Sequence, residues 1–291
     1  MESTILKCKI ITPMFCYGAD GNTPELRAPS LKGALRFWWR AIHPDLDKLK
    51  ENETNIFGGT GGDEESKAIK SSFSFRIINL NPSIDKYRPL PHHDNSSYCN
   101  NCEKRNGKCK KSYKNAAFMP DSTFDLIIRP QNEEIKKLLI LTSILGGIGA
   151  RSRRGFGCFQ IESIDENKFD FMLNKDSLID LIKEINPNFE LGKEYNRNYP
   201  YLQKVDIGKP TKDYNELLIK IGQASHKFDT PYTGSARNGR YASPIYVSVY
   251  EESNEFYPII STLNRTINKT SNHEKDEENK NNFIQAILGG E

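Results

Sequence analysis

The order of regular segments along residues 1–164 limits the possible folds more than any single motif. Thr4 to Thr12 (TILKCKIIT) is rich in β-branched residues and ends at Pro13, which predicts a well-buried strand. Pro29 sits where proline favours a helix start, and Leu31, Ala34, Leu35, Trp38 and Ile42 then recur at helical spacing on one face. Ser72 to Leu80 alternates as a strand does, Thr123 to Arg129 predicts another, and Glu133 to Leu145 is a helix apolar on more than one face, suited to burial between layers. Cys158 to Ile164 completes the series as a strand. Strand, helix, strand, strand, helix, strand is the ferredoxin-like order shared with RNA-recognition modules. The aromatic signature of a typical recognition motif is missing, which directs attention from the sheet face to the loops and the first helix.

The second half repeats this pattern incompletely. Asp45 to Phe57 predicts a short extra helix in the first half, whereas Lys168 to Leu173 starts a second unit. Helices follow at Ser177 to Ile185 and Tyr214 to Phe228, strands at Ile245 to Tyr250 and Phe256 to Leu263, and a short closing helix at Phe283 to Leu288. Residues 264–282 are dominated by Asn, Lys and Glu, cannot bury a core, and are expected to be disordered. The expected fold class is α+β, with two ferredoxin-like (RRM-like) βαββαβ domains. The first covers 1–164 with a Cys-rich insertion at about 81–118, and the second, smaller and incomplete, covers 165–291.

A net charge of +3, from 41 basic and 38 acidic residues, gives no global field, so nucleic-acid affinity depends on local clusters. No acidic residue occurs from Leu26 to Pro44, Lys104 to Pro120, Ile135 to Ile161 or Thr230 to Tyr250. The first window holds Arg27 and a helical stripe of Lys32, Arg36, Trp39, Arg40 and His43, which places an aromatic ring among cations as single-strand binders do. Partial core burial is an equally good account of Trp39 alone. The last window holds Arg237 and Arg240. The third contains GGIGARSRRGFG, Gly146 to Gly157, where glycines permit close backbone approach and Arg151, Ser152, Arg153, Arg154 and Phe156 offer charge, donors and a ring to a phosphodiester chain. A dinucleotide fingerprint would need glycine or alanine at Ser152 and a strand before the loop, and no Walker lysine follows at the required spacing. The competing account is a helix cap with a solvated basic turn.

Cys99, Cys102 and Cys109 form a CxxC pair with a third thiol six residues on, and His92 and His93 lie just upstream. Three thiolates and one histidine, His93 or His92, make a structural Cys3His zinc site that would hold the otherwise polar insertion in shape. Neither HExxH nor a deaminase-type HxE with PCxxC is present, so catalytic zinc is not indicated. The N-terminus MESTILKCKI carries no secretory signal and no apolar run is long enough to span a bilayer, so a cytoplasmic protein without membrane contact is expected.

The run LRAPSLKGALRFWWRAI, preceded by ITPMFCYGAD and followed by NIFGG, resembles the family of first subunits of Cmr effector complexes, the type III-B CRISPR machinery of the RAMP superfamily. GGIGARSRRGFG and RYASPIYVSV support the resemblance at matching order along the chain. It implies two ferredoxin-like domains and a place in an antiviral ribonucleoprotein beside other Cmr effector subunits. It also implies contacts to guide RNA and target RNA near the guide 3′ end, with target cleavage carried by a different subunit. The runner-up is a metal-independent CRISPR RNA-processing endoribonuclease using His43 as base, against which stand the residues that follow the glycine-rich loop in this chain. A third reading is a structural adaptor whose basic windows meet acidic protein surfaces.

Overall fold

The computed structural model describes residues 2–59, 68–94, 102–105, 108–235, 241–266, 270 and 272–289. Its strands are β1 (Thr4–Ile10), β2 (Ser74–Asn81), β3 (Ile84–Tyr87), β4 (Lys104–Arg105), β5 (Lys108–Cys109), β6 (Asn115–Phe118), β7 (Thr123–Arg129), β8 (Phe159–Ile164), β9 (Asn167–Lys168), β10 (Leu202–Ile207), β11 (Ile245–Glu252) and β12 (Glu255–Leu263). Its helices are α1 (Ala28–Ala41), α2 (Leu49–Phe57), α3 (Glu133–Leu145), α4 (Lys175–Ile185), α5 (Tyr214–Lys227) and α6 (His273–Leu288). The fold is α+β with antiparallel sheets, as the segment order requires.

The first sheet runs β2-β7-β1-β8-β9, so the four strands of the sequence pattern take the ferredoxin-like order with β1 central between β7 and β8. Leu6, Cys8 and Ile10 of β1 alternate into the core while Ile5, Lys7 and Lys9 point the other way, the period-2 pattern of a half-buried strand. Asn132 caps α3 by accepting from the Ile135 amide at 3.0 Å. Nine of the helix's residues, Ile135 and Leu138 to Leu145, are buried, which is why its apolar residues cover more than one face. It packs against α1, α4, β8, β11 and β12. The second sheet is β10-β12-β11, and α5 and α6 pack together beside it.

Several expectations are corrected here. Lys168 pairs with Ser163 in the first sheet, and Phe169, Phe171 and Leu173 pack against the core cluster that both halves share. β10 carried no clear signal in the sequence, since its short run LQKVDI mixes both periods. Residues 264–282 are not disordered as a block. Asn264 is buried, and α6 begins at His273. Its polar first turns are held by ion pairs, Arg265 to Glu277 at 2.6 Å and Glu277 to Lys280, while Phe283, Ile284 and Ile287 anchor its other end. A composition reading discounts such charges because it cannot see them pair on a helix.

The two halves share their cores. Leu178, Ile182, Leu202, Val205, Ile259 and Leu263 join the cluster beneath the first sheet, while Phe15, Phe156 and Cys158 from the first half join Leu217, Leu218, Val247 and Phe283 in the other.

Candidate nucleic-acid interface and metal centre

The glycine-rich loop is built against its own chain. Its Ala150 and Gly157 amides donate to Phe15 and Pro13 carbonyls at 2.8 and 3.0 Å, and the Gly155 amide donates to Val247 at 2.7 Å. At Gly157, φ is +67° and a Cβ would stand 1.9 Å from the Ile148 carbonyl oxygen; at Gly149, φ is +88° and a Cβ would stand 2.3 Å from that of Phe15. The close approach these glycines allow is to neighbouring backbone, not to a ligand.

The arginines of the loop part company. Arg154 donates from Nη1 to the carbonyls of Arg153 (2.9 Å) and Ile245 (3.1 Å) and to Ser243 Oγ (3.3 Å), and from Nη2 to the carbonyl of Thr233. Its guanidinium lies 5.1 Å from the Phe283 ring, and burial, helped by Arg151 and Arg153, pushes its pKa down to about 10. Arg153 donates to the Ser243 carbonyl at 2.7 Å and lies 4.8 Å from the Tyr246 ring. Both belong to the set expected on RNA; their hydrogen bonds also tie the loop to β11 and its approach. Phe156 is also corrected: it is 2% exposed and packs against Phe15 with centroids 5.4 Å apart. Ser152 is half-buried in the 3-10 turn Ser152–Arg154. Arg151, in a left-handed conformation at φ 63°, is exposed.

The helix stripe divides similarly. Trp39 is 2% exposed, its ring stacks on His43 at 4.3 Å, and its indole N–H donates to Glu134 Oε1 at 3.3 Å, so neither face is open to a base. Arg36 and Arg40 both pair with Glu53, which is 4% exposed, and Arg36 also donates to the Gly58 carbonyl at 2.8 Å. One buried carboxylate therefore fixes two cations and cancels one charge. Lys32 stands 4.9 Å from the Phe73 ring, in an open groove of about 370 Å³ that Arg36 and Phe75 also line, and Arg27 is exposed at the N-terminal end of α1. Arg237 and Arg240 lie outside the described residues.

His43 is 7% exposed, and its Nδ1 lies 2.7 Å from the Trp39 carbonyl oxygen, a contact the ring makes as a donor. Burial holds its pKa below the ordinary value. Such a ring completes the end of α1.

His93, Cys102 and Cys109 come together: the sulfurs of Cys102 and Cys109 lie 3.2 and 3.6 Å from His93 Nδ1. With bonds of about 2.05 Å to nitrogen and 2.3 Å to sulfur, the edge of a zinc tetrahedron is about 3.6 Å, so these three atoms have the spacing of ligands on one metal. Cys99 lies outside the described residues. Of the two candidate histidines, His93 is the one facing the sulfurs. His92 turns the other way, against α5, where a Cβ on Gly222 would meet its Nδ1 at 2.2 Å. There it meets His226, a residue the sequence did not single out because nothing in a regular amphipathic helix marks one histidine as functional. Burial, with His93, His226, Arg151 and Lys111 nearby, pushes His92 down to about 3, which leaves it neutral at ordinary pH. The space between is a cleft of about 450 Å³ whose lining includes Lys111, Arg151, His92, His226 and Asp229. It lies where the base of the insertion, the glycine-rich loop and α5 meet.

A ferredoxin-like sheet with a helix that runs into a glycine- and arginine-rich loop is the class of fold this chain defines. Residues 7–160, just over half of the chain, match the RAMP superfamily, and the chain belongs to it. It is 29% identical over 186 residues to CRISPR system Cmr subunit Cmr1-2 of Pyrococcus furiosus, an alignment covering 57% of this chain and 98% of that one. It is 33% identical over 151 residues to subunit Cmr1-1 of the same organism, covering 47% of this chain and 41% of that one. The crystal structure of apo Cmr1 from Pyrococcus furiosus superposes with a TM-score of 0.60 at 20% identity, over 99% of this chain and 97% of that one. A chain in the cryo-EM structure of the type III-B Cmr-beta complex bound to cognate target RNA and AMPPnP superposes at 0.57 and 13% identity, over 98% and 99%. At these identities the superpositions speak for the fold.

Proposed function

We propose that this chain is an RNA-binding RAMP subunit of a type III-B CRISPR effector, which contacts guide and target RNA near the guide 3′ end, beside other Cmr subunits, and does not itself cut RNA. The observation that carries the reading is the alignment with the Cmr1 subunits, which spans almost the whole of one of them. The same reading divides the chain into units 1–164 and 165–291 that pack together. Among the described residues, Arg151 with Lys111 across the cleft, Lys32 on the α1 groove and the exposed Arg27 are cations this reading sets against phosphate. A structural zinc on Cys99, Cys102, Cys109 and His93 would hold the insertion that supplies Lys111. A cytoplasmic setting suits such a role, and among the described residues no helix is long and apolar enough to cross a membrane.

Photo-crosslinking of the purified chain to single-stranded RNA, followed by peptide mapping, tests the proposal. Crosslinks are expected on peptides containing Arg27 to Lys32, Lys111 and Arg151, with no RNA shortening. Binding that does not weaken as salt is raised, or cleavage abolished by His43→Ala, would overturn it.

A further inference from the structure

We propose that His92, His93 and His226 form a second position for a divalent transition metal, which fastens the base of the insertion to α5. Each of the three rings offers one nitrogen, and these nitrogens all lie within 4.8 Å of one another. The ring centroids are 4.3 Å apart for His92 and His93, 5.5 Å for His93 and His226, and 5.9 Å for His92 and His226, each pair tilted or edge-on and none stacked. Edge-on contacts alone are ordinary ring packing; what points to a metal is that one nitrogen from each of the three rings converges on the same place.

The position is distinct from that of the thiols. His226 does not belong with Cys102 and Cys109 in one group of mutually close ligand atoms, whereas His93 belongs to both groups. His93 presents Nδ1 to the sulfurs and is the residue the two positions share, so a metal at each would bridge its ring as imidazolate, the ring N–H proton going to solvent. An imidazole has two nitrogens in opposite directions, and a ring bound at one commonly has its orientation fixed through the other. Three imidazoles suit zinc, cobalt, nickel or copper and do not suit the oxygen-seeking calcium or magnesium. Three protein ligands leave at least one coordination place for water or an incoming anion, and the cleft supplies the room.

The backbone is shaped for this contact. Gly222 stands one helical turn before His226 on α5, and any side chain there would collide with the His92 ring. Lys111 and Arg151 add positive charge around the rings, and Asp94 and Asp229 add negative charge from the same surroundings. The consequence is a cross-link between segments 134 positions apart, from His92 to His226, made by a metal where the first unit's insertion meets the second unit's helix.

Metal counting on the full chain, independent of any RNA, decides the matter. The apo protein is titrated with cobalt(II), followed by elemental analysis and visible absorption. The parent should take two equivalents. His226→Ala, at an exposed position, should take one and keep the thiolate-to-cobalt charge-transfer band. Cys102→Ala with Cys109→Ala should also keep one equivalent, now without that band. A parent that binds a single equivalent, whichever substitution removes it, overturns the proposal. So does a His226→Ala variant that still binds two with unchanged affinity.

Discussion

Arginines 151 and 154 stand three positions apart in a loop that looks uniformly basic, and replacing each with alanine should give opposite results. The Arg154 guanidinium makes hydrogen bonds to three carbonyls and the Ser243 hydroxyl. Charged hydrogen bonds contribute about 1.5–3 kcal/mol each, but removing the side chain also removes the cost of keeping a charge out of water. The net loss should be that of a broken buried polar network, about 3–5 kcal/mol. For a chain of this size that lowers the melting temperature by roughly 6–20 °C. Arg151 is exposed, so Arg151→Ala should change stability by only about 0.5 kcal/mol.

RNA binding should invert the order. Arg151→Ala should flatten the dependence of log affinity on log salt by about 0.7, the contribution of one lost single-strand phosphate contact. Arg154→Ala, measured below its melting temperature, should leave the slope as it is. Thermal melts and salt titrations of the two single variants supply both readouts; a triple arginine variant would mix them. An Arg154→Ala protein that melts like the parent and binds with a flatter slope would refute the reasoning, because the guanidinium would then face solvent and RNA.

Glu53→Ala should cost about 1–3 kcal/mol, since Arg36 and Arg40 are 39% and 48% exposed and Arg36 keeps the Phe57 and Gly58 carbonyls, and, in a gel-shift assay at low salt, should raise RNA affinity as a buried negative charge is lost. His43 folds neutral with its pKa depressed, so below the unfolded value of about 6.5 the unfolded chain binds the extra proton and stability falls as pH falls; His43→Gln should flatten that slope in melts between about pH 6.5 and 5. Gly222→Ala should destabilise by about 1–3 kcal/mol through the clash with His92, seen in denaturant titration. Chelator treatment should make the insertion protease-sensitive while circular dichroism of the remainder holds, and unchanged digestion would count against any metal there.

The fold was legible where burial leaves a periodic trace. β7 and α3 have the residue limits their patterns predict, because both are buried elements whose apolar residues leave a clear pattern. Only the end of α6, Phe283 to Leu288, was legible, because its first turns are held by tertiary ion pairs, and β10 was not, because a three-stranded sheet needs little from its edge. The metal candidates were legible in part: thiol spacing is a local property, but His226 reaches the cluster only through tertiary packing.

Charge was the least legible feature, and the reason is physical. A sequence shows where cations are dense, but not how many are used internally, and in this protein the densest clusters are also the most used. Arg153 and Arg154 carry the junction between the first unit's loop and β11, where several carbonyls at the start of the strand need donors and lysine could not fork to reach them. Arg36 and Arg40 hold α2 through one buried carboxylate. An arginine-rich loop set among glycines is therefore ambiguous in principle: glycine allows the backbone to come close, and what it comes close to can be RNA or the rest of the protein. Here the backbone approaches Phe15, Pro13 and Val247, and Arg153 and Arg154 spend donors on carbonyls of the same protein, while Arg151 is the most exposed of the three.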